Sequence, residues 1–225
     1  MDNIAIFGKH VHYFKDEVMK EFEIKDVGPA DLMLGIKVTY CTDYISFDQQ
    51  NFTKSLLDLH GIINCNSVAT PLVSNEHLSL ASISEISDFG KLKVNFCSAV
   101  GSMNYLSTAT RPKLLFAVST LSQYLENPGM PHWKAFLHVL KNLKGARDLG
   151  LIYPRGMNVG ILAYSDADWG NCHVSQWSVT GFLATVGASL VLWRTRKQPA
   201  ASLSTTEEEY KSLCDLTSEL LWFGQ

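Results

Sequence analysis

The sequence lacks three features that would each assign it to a well-defined class of proteins: a long apolar run, a signal peptide and a strong net charge. No apolar stretch approaches the roughly 20 residues that a membrane-spanning helix needs. The Met1-Asp2-Asn3 start has neither the basic nor the apolar region of a signal peptide. We therefore expect an intracellular protein with no membrane segment, and the sequence leaves its compartment open.

The cysteines show no disulfide or metal pattern. An odd number of cysteines without C-x-x-C spacing argues against both a disulfide framework and a zinc site, and it is compatible with a reducing compartment. The seven histidines share no metal-ligand spacing either. The five cysteines are Cys41, Cys65, Cys97, Cys172 and Cys214.

The formal charge of −3 gives no basic field over the whole molecule. Any contact with nucleic acid would therefore depend on local patches. One such patch, Arg194, Arg196 and Lys197, lies between a predicted strand and the last predicted helix and could contact a phosphate backbone. Taken alone, a solvated surface is the simpler interpretation of this patch. With 46% hydrophobic and 18% charged residues, the 225-residue chain is typical of a globular protein with a sizeable core.

Apolar periodicity predicts a mixed α+β chain. In the first part we predict strands at 3–7, 32–40 and 44–47, and helices at 11–22 and 49–60. Residues 64–87 are rich in Ser, Asn and Thr and show no sustained period, which predicts a linker or surface loop. Three successive helices at 89–108, 114–125 and 131–144 indicate a small bundle. The last part is predicted as strands at 149–153, 160–165, 178–186 and 189–194, followed by a helix at 205–222.

Two acidic clusters carry the chemistry. Asp166 follows the apolar strand Ile161-Leu162-Ala163-Tyr164, and Glu207-Glu208-Glu209 lies in the first turns of the last predicted helix, where the helix dipole favours acidic residues in any case. Glu209, next to Tyr210, could point towards the sheet. Two-metal phosphodiester hydrolysis needs several carboxylates around hard cations, so two alone would make a weak site. A solvated acidic pair is the simpler interpretation of these residues by themselves.

An ordered series of short motifs covers nearly the whole chain. The motifs include Asp26-Val27-Gly28, Leu34-Gly35-Ile36, Ala69-Thr70-Pro71, Val100-Gly101-Ser102-Met103-Asn104-Tyr105-Leu106, Thr110-Arg111-Pro112, His132-Trp133, Ser165-Asp166-Ala167-Asp168-Trp169, Trp193-Arg194 and Ser204-Thr205-Thr206-Glu207 through Tyr210. This series resembles the Pol polyprotein of copia-type retrotransposons, in which the late reverse transcriptase runs through a helical connection into ribonuclease H.

The resemblance implies a division of the chain into four parts. Residues 1–65 would be the end of a reverse-transcriptase palm, 66–88 a linker, 89–147 a three-helix thumb-like or connection-like segment, and 148–225 an incomplete ribonuclease H-like α/β domain. It implies that Asp166 and Glu209 are magnesium-binding catalytic carboxylates. Asp2 would be the first aspartate of a vestigial Tyr-x-Asp-Asp polymerase motif whose second position is Asn3, an amide that binds Mg²⁺ less strongly than a carboxylate.

The resemblance also implies a function. The parent activity would be RNA-directed DNA synthesis with Mg-dependent hydrolysis of RNA in RNA:DNA hybrids, without a small-molecule cofactor. Further catalytic positions of that family have no counterpart among these residues, so we expect the chain alone to be inactive. The alternative is a non-catalytic relic, or a module reused for binding protein or nucleic acid. A nuclear and an organellar genome are both open as the origin.

Overall fold

The computed structural model describes residues 6, 8, 10–73, 78–156, 160–168, 178–198, 202 and 204–223. It mixes helices and sheets, as the periodicity predicts. The helices are α1 (Val11–Glu21), α2 (Gln50–Leu59), α3 (Ile83–Gly90), α4 (Phe96–Ala109), α5 (Leu115–Ser122), α6 (Met130–Gly145) and α7 (Thr205–Phe223), with a 3-10 turn at Pro112–Leu114. The strands are β1 (Leu32–Met33), β2 (Ile36–Tyr40), β3 (Tyr44–Asp48), β4 (Leu151–Pro154), β5 (Ile161–Asp168), β6 (Val179–Val186) and β7 (Ser189–Lys197). The strand predicted at 3–7 lies almost wholly outside the described residues.

The helices α2 and α4 to α6 enclose the main hydrophobic core. Met103, Leu106, Leu121, Phe136 and Leu140 are completely buried there. These side chains recur every three or four residues on their helices, which is why the spacing predicts the helices correctly. None of the helices in the described part of the chain has the length and apolar content needed to cross a membrane.

Arg111 connects this core to the end of α6. Its guanidinium group is 6% exposed and donates hydrogen bonds of 2.7 Å to the main-chain oxygens of Ala146 and Arg147. Both oxygens lie just after the end of α6, and that of Ala146 also accepts from the Leu149 amide at 3.1 Å, so the guanidinium group stabilises the turn that follows the helix. The adjacent Thr110 donates to the buried Gln49 side chain at 2.8 Å. Thr110 and Arg111 therefore hold the end of α4 against the start of α2 and the turn that follows α6.

The segment predicted as a linker is partly ordered by side chains of α6. Asn142 donates to the main-chain oxygens of Val68 and Ala69, and His138 contacts that of Thr70 at 3.1 Å. The prediction of a loop is wrong for the end of the segment, because α3 begins at Ile83. Ser82 and Glu85 form a capping box, which stabilises the first turn of a helix in spite of the serine-rich composition.

The helix predicted from residue 89 in fact begins at Phe96. Asn95 caps it by accepting a hydrogen bond from the Ser98 amide at 2.9 Å. Lys93, just before this cap, has a φ of 52°, which no helical residue adopts. The chain therefore ends one helix at Gly90 and starts another after a short break.

The strands form two separate antiparallel sheets within the described residues. The first has the order β1-β2-β3-β4, and the second has the order β5-β6-β7. The strand β4, which the sequence groups with residues 148–225, pairs with β3 in the first sheet, with Phe47 opposite Leu151. Apolar alternation identifies a strand but not its partner, so only the structure could assign β4 to this sheet.

Candidate metal and nucleic-acid site

The second sheet and α7 together carry the predicted site residues. The pairs Asp166–Gly181 and Gly181–Thr195 lie side by side across the three strands, as do Ala167–Thr180 and Thr180–Arg196. Because side chains alternate along a strand, these two rows belong to opposite faces of the sheet. The sheet therefore has an Asp166 face and an Arg196 face.

The helix α7 covers the Arg196 face. Arg196 Nη2 donates to both carboxylate oxygens of Asp215 at 2.8 and 2.7 Å, and Arg194 Nη1 donates to Glu219 Oε1 at 2.7 Å. Both arginines lie on β7, and both acidic residues lie on α7. The two ion pairs therefore fix how α7 is rotated about its own axis relative to the sheet.

This rotation determines where Glu209 lies. Successive residues of a helix are about 100° apart, so Glu209 is about 120° from Asp215 around the helix axis, beyond the sheet-facing Ser212 and Leu216. Glu209 is exposed, whereas Glu208, Ser212 and Leu216 of the same helix are buried. Glu209 therefore does not share the buried face of α7, and the expectation that it turns towards the sheet is not met.

Asp166 lies on β5, the outer strand of this sheet among the described residues, and its side chain belongs to the face opposite to α7. Its side chain is exposed, on the face that also carries Thr195. Its main-chain oxygen accepts a hydrogen bond of 2.9 Å from Ser212 Oγ, which ties α7 to β5. Ser212 is completely buried and lies three residues after Glu209, so Asp166 and Glu209 flank one contact between strand and helix.

Glu208, which the sequence analysis assigns to the helix dipole, is the glutamate that points at the sheet. It is 1% exposed, and its Oε2 atom has no hydrogen-bond partner among the residues that the structure describes. The buried Gln198 side chain donates to the main-chain oxygen of Glu208 at 3.3 Å and to the Thr180 hydroxyl group at 3.0 Å. The spacing of Glu208 to Ser212 and Leu216, one helical turn each, could have revealed that it shares their buried face.

The fit to a metal ion is limited. Mg²⁺ in enzymes is often held by one or two carboxylates together with water and substrate phosphates. Asp166 and Glu209 could supply such ligands at the edge of β5, although they approach it from opposite faces. Among the residues that the structure describes, no group of three or more His, Cys, Asp or Glu side chains is arranged to hold a metal ion.

The predicted nucleic-acid patch is divided by the fold. Arg194 and Arg196 point towards α7 and are engaged with its acidic side chains. Arg196 and Lys197 both line a cleft of about 520 Å³ between α4, α5 and the end of β7, together with Cys97 and Leu115. Arg194 is instead engaged with Glu219 on α7.

Asp2, the predicted vestigial polymerase aspartate, lies outside the described residues.

His132, predicted as a packing residue at a helix start, is completely buried and stacks on Tyr124 with ring centroids 4.0 Å apart. Its Nδ1 atom accepts from the Gly129 amide at 3.0 Å, so the residue closes the first turn of α6.

Comparison of the sequence with known proteins shows which class of protein the chain resembles. The profile of a family described as reverse transcriptase (RNA-dependent DNA polymerase) matches residues 1–74. The chain is 32% identical over 225 residues, or 99% of its length, to the retrovirus-related Pol polyprotein from transposon RE2 of Arabidopsis thaliana. It spans 15% of that relative's length.

Two shorter relatives are also similar. An uncharacterized mitochondrial protein of Arabidopsis thaliana, AtMg00810, is 30% identical over 208 residues, which are 92% of this chain and 83% of the relative. The secreted RxLR effector protein 161 of Plasmopara viticola is 40% identical over 129 residues, which are 57% of this chain and 91% of the effector. No solved structure matches.

The chain belongs to the Pol polyprotein family of copia-type retrotransposons. The resemblance inferred from the ordered motifs is thereby confirmed. These motifs identify the family even though some of their residues, among them Arg111 and His132, stabilise the fold and have no direct chemical role.

Proposed function

We propose that these 225 residues are a segment of a retrotransposon Pol polyprotein in which the second sheet and α7 contribute to ribonuclease H. In the parent protein, Asp166 and Glu209 would bind Mg²⁺ during hydrolysis of RNA in RNA:DNA hybrids. The observation that carries the proposal is that an exposed carboxylate on β5 and another on α7 flank the Ser212–Asp166 hydrogen bond at one edge of the sheet.

The same geometry supports inactivity of this chain in isolation. Two-metal hydrolysis depends on several carboxylates that hold the ions a few ångströms apart. The Asp166 side chain lies on the face of β5 opposite to α7, which carries Glu209, and the described residues supply no group of three ligands. We expect weak binding of Mg²⁺ or Mn²⁺ and no hybrid-specific cleavage.

The test is an assay of the purified chain with a labelled RNA:DNA hybrid and either Mg²⁺ or Mn²⁺. The matched control is the double variant Asp166→Asn, Glu209→Gln, which keeps the size of both side chains but removes their charge. Equal background cleavage by both proteins is the expected result. Cleavage that the double substitution abolishes would refute the inactivity of the isolated chain while supporting the role of the two carboxylates.

A second candidate function is non-catalytic binding of nucleic acid or protein by this segment as an independent protein. The observation that favours it is the existence of two relatives of similar or smaller size, of which the aligned regions cover 83% and 91%. The discriminating measurement is the affinity for the hybrid and for a DNA duplex, determined from fluorescence anisotropy at a series of salt concentrations. Affinity that falls steeply with salt would indicate phosphate contacts, whereas absence of binding would leave a protein partner or a relic.

If the hybrid binds, the basic patch can be tested directly. We expect Arg194→Gln to leave the affinity for the hybrid almost unchanged, because the Arg194 guanidinium group is paired with Glu219. Lys113→Gln, at the 3-10 turn, makes the same change of charge outside the patch and is the control. A loss of affinity with Arg194→Gln well beyond that with Lys113→Gln would show that Arg194 contacts the nucleic acid.

A further inference from the structure

Three buried polar atoms lie where α2 begins and α4 ends, and none of them has a hydrogen-bond partner among the residues that the structure describes. They are Gln49 Nε2, Thr53 Oγ1 and Arg111 Nε. Their residues are 1%, 0% and 6% exposed, respectively. Buried polar groups are nearly always hydrogen-bonded, because an unpaired one loses its bonds to water without replacement. The described residues already enclose these atoms, so their burial does not require further segments of a longer polyprotein.

Hydrogen bonds bring Gln49 and Thr53 to the end of α4. Thr110, which follows α4, donates from Oγ1 to Gln49 Oε1 at 2.8 Å, so the Gln49 amide group lies against the end of that helix. An exchange of the amide nitrogen and oxygen would still leave one of them unpaired. The Thr53 main-chain amide donates to the Gln49 main-chain oxygen at 2.8 Å, which places Thr53 one turn along the same face of α2.

Arg111 brings the third atom to this place. Its Nη1 and Nη2 atoms donate to the main-chain oxygens that follow α6, which leaves Nε as the nitrogen of the guanidinium group without a partner. Burial lowers the pKa of Arg111, and the charges of Asp48 and Asp148 oppose that shift. Because Asp48 immediately precedes Gln49, the guanidinium group lies near the start of α2.

The chemistry of these atoms restricts what they can bind. Gln49 Nε2 and Arg111 Nε only donate hydrogen bonds, so they offer no ligand to a metal cation. An added anion would meet two carboxylates, those of Asp48 and Asp148, for one guanidinium group. A water molecule is neutral and both accepts and donates hydrogen bonds. Buried waters typically make about three bonds to groups that are otherwise unpaired.

We propose that one water molecule is bound between the start of α2 and the end of α4. It accepts hydrogen bonds from Gln49 Nε2 and Arg111 Nε and donates one to Thr53 Oγ1. The water connects α2 to the turn after α6 through Arg111. This assigns a role to Thr110-Arg111-Pro112, a motif that the proposed ribonuclease H chemistry does not use, because Thr110 orients the Gln49 amide and Arg111 holds the water. The proposal does not depend on that chemistry.

The direct test is a crystal structure of the unaltered chain at a resolution that shows ordered water. The expected result is one water oxygen within about 2.7–3.2 Å of Gln49 Nε2, Thr53 Oγ1 and Arg111 Nε. Side chains that pair with one another at this place would overturn the proposal, as would an absence of water density between them.

The second test counts bound water in solution by magnetic relaxation dispersion of water nuclei, which detects waters that stay in the protein longer than it tumbles. The double variant Gln49→Met, Thr53→Val removes two of the three partners and nearly keeps the side-chain sizes. It should hold one long-lived water fewer than the parent chain. Thr217→Val removes an exposed hydroxyl group on α7 and should leave the number unchanged. An equal number in the parent and in the double variant, folded by circular dichroism, overturns the proposal.

Discussion

Arg196 on β7 and Asp215 on α7 are joined by two hydrogen bonds from one guanidinium nitrogen to the two carboxylate oxygens. Arg194 and Glu219 repeat the relationship one helical turn further on. These contacts determine which flank of α7 lies above the edge of β5. The position of Glu209 therefore depends on residues that have no chemical role of their own in the proposed reaction.

The Arg196–Asp215 pair can be measured by a double-mutant cycle. We expect Arg196→Gln and Asp215→Asn each to lower the free energy of unfolding, with a coupling of about 0.5–1 kcal/mol, because both side chains are partly exposed. Urea denaturation followed by circular dichroism gives the values. Additive effects of the two substitutions would show that the pair does not hold α7 in place.

The hydrogen bond from Ser212 Oγ to the main-chain oxygen of Asp166 should contribute measurably to the free energy of unfolding. Ser212→Ala raises the helix propensity but removes the buried donor, so we expect a net loss of about 1 kcal/mol of unfolding free energy. Thr217→Ala removes an exposed hydroxyl group that bonds within α7 to Leu213 and is the matched control. An equal effect of the two substitutions would contradict a role for Ser212 in docking α7 on β5.

The sequence predicts most helices and strands because their apolar residues repeat with the period of the element. Phe136 and Leu140 on α6 are an example, since both are completely buried one turn apart. The order of motifs predicts the family because it combines matches at many positions, none of which would be sufficient alone. Apolar periodicity and the ordered motifs are both signals that extend along the whole sequence.

Features that depend on a partner elsewhere in the fold could not be predicted. Nothing in the composition of Leu151–Pro154 indicates pairing with β3 rather than with β5. The basic run at Arg194 suggests a phosphate site until Glu219 is found beside it. Glu208 is different: the family motif singles out Glu209, but the four-residue spacing from Glu208 to Ser212 and Leu216 is a signal in the sequence that marks Glu208 as the buried glutamate.

The two adjacent glutamates should respond differently to loss of charge. Glu208→Met removes a buried carboxylate that has an unpartnered oxygen, and we expect it to be neutral or to raise the unfolding free energy by about 1 kcal/mol. Glu209→Met changes an exposed residue of similar helix propensity and should have almost no effect. A marked loss of stability in Glu208→Met alone would show that the carboxylate has a partner that stabilises it.

Stability should fall as the pH is lowered below neutrality. Burial lowers the pKa of His132 and that of His60 below the ordinary histidine value. The unfolded chain therefore takes up protons first as the pH falls through about 6.5, and the free energy of unfolding decreases until the folded-state pKa is reached. His132 also uses Nδ1 as an acceptor for the Gly129 amide, a bond that protonation would break.

The pH dependence can be assigned by comparing urea midpoints between pH 7 and pH 5. His132→Gln removes the titrating ring, and its slope against pH should be shallower than that of the parent chain. His12→Gln, at an exposed position on α1, should keep the parent slope. Identical slopes in all three proteins would mean that the buried ring does not contribute to the linkage.

Gly150 precedes β4 and allows it to approach β3 closely. A Cβ atom at this position would lie 2.5 Å from the main-chain oxygen of Phe47, so Gly150→Ala must displace one of the two strands. We expect a loss of about 1–3 kcal/mol of unfolding free energy, the usual cost of overpacking. Gly160→Ala, before β5, meets nothing within 4 Å and should have little effect. Equal stability of the two variants, measured by urea denaturation, would show that β4 does not depend on this close approach to pair with β3.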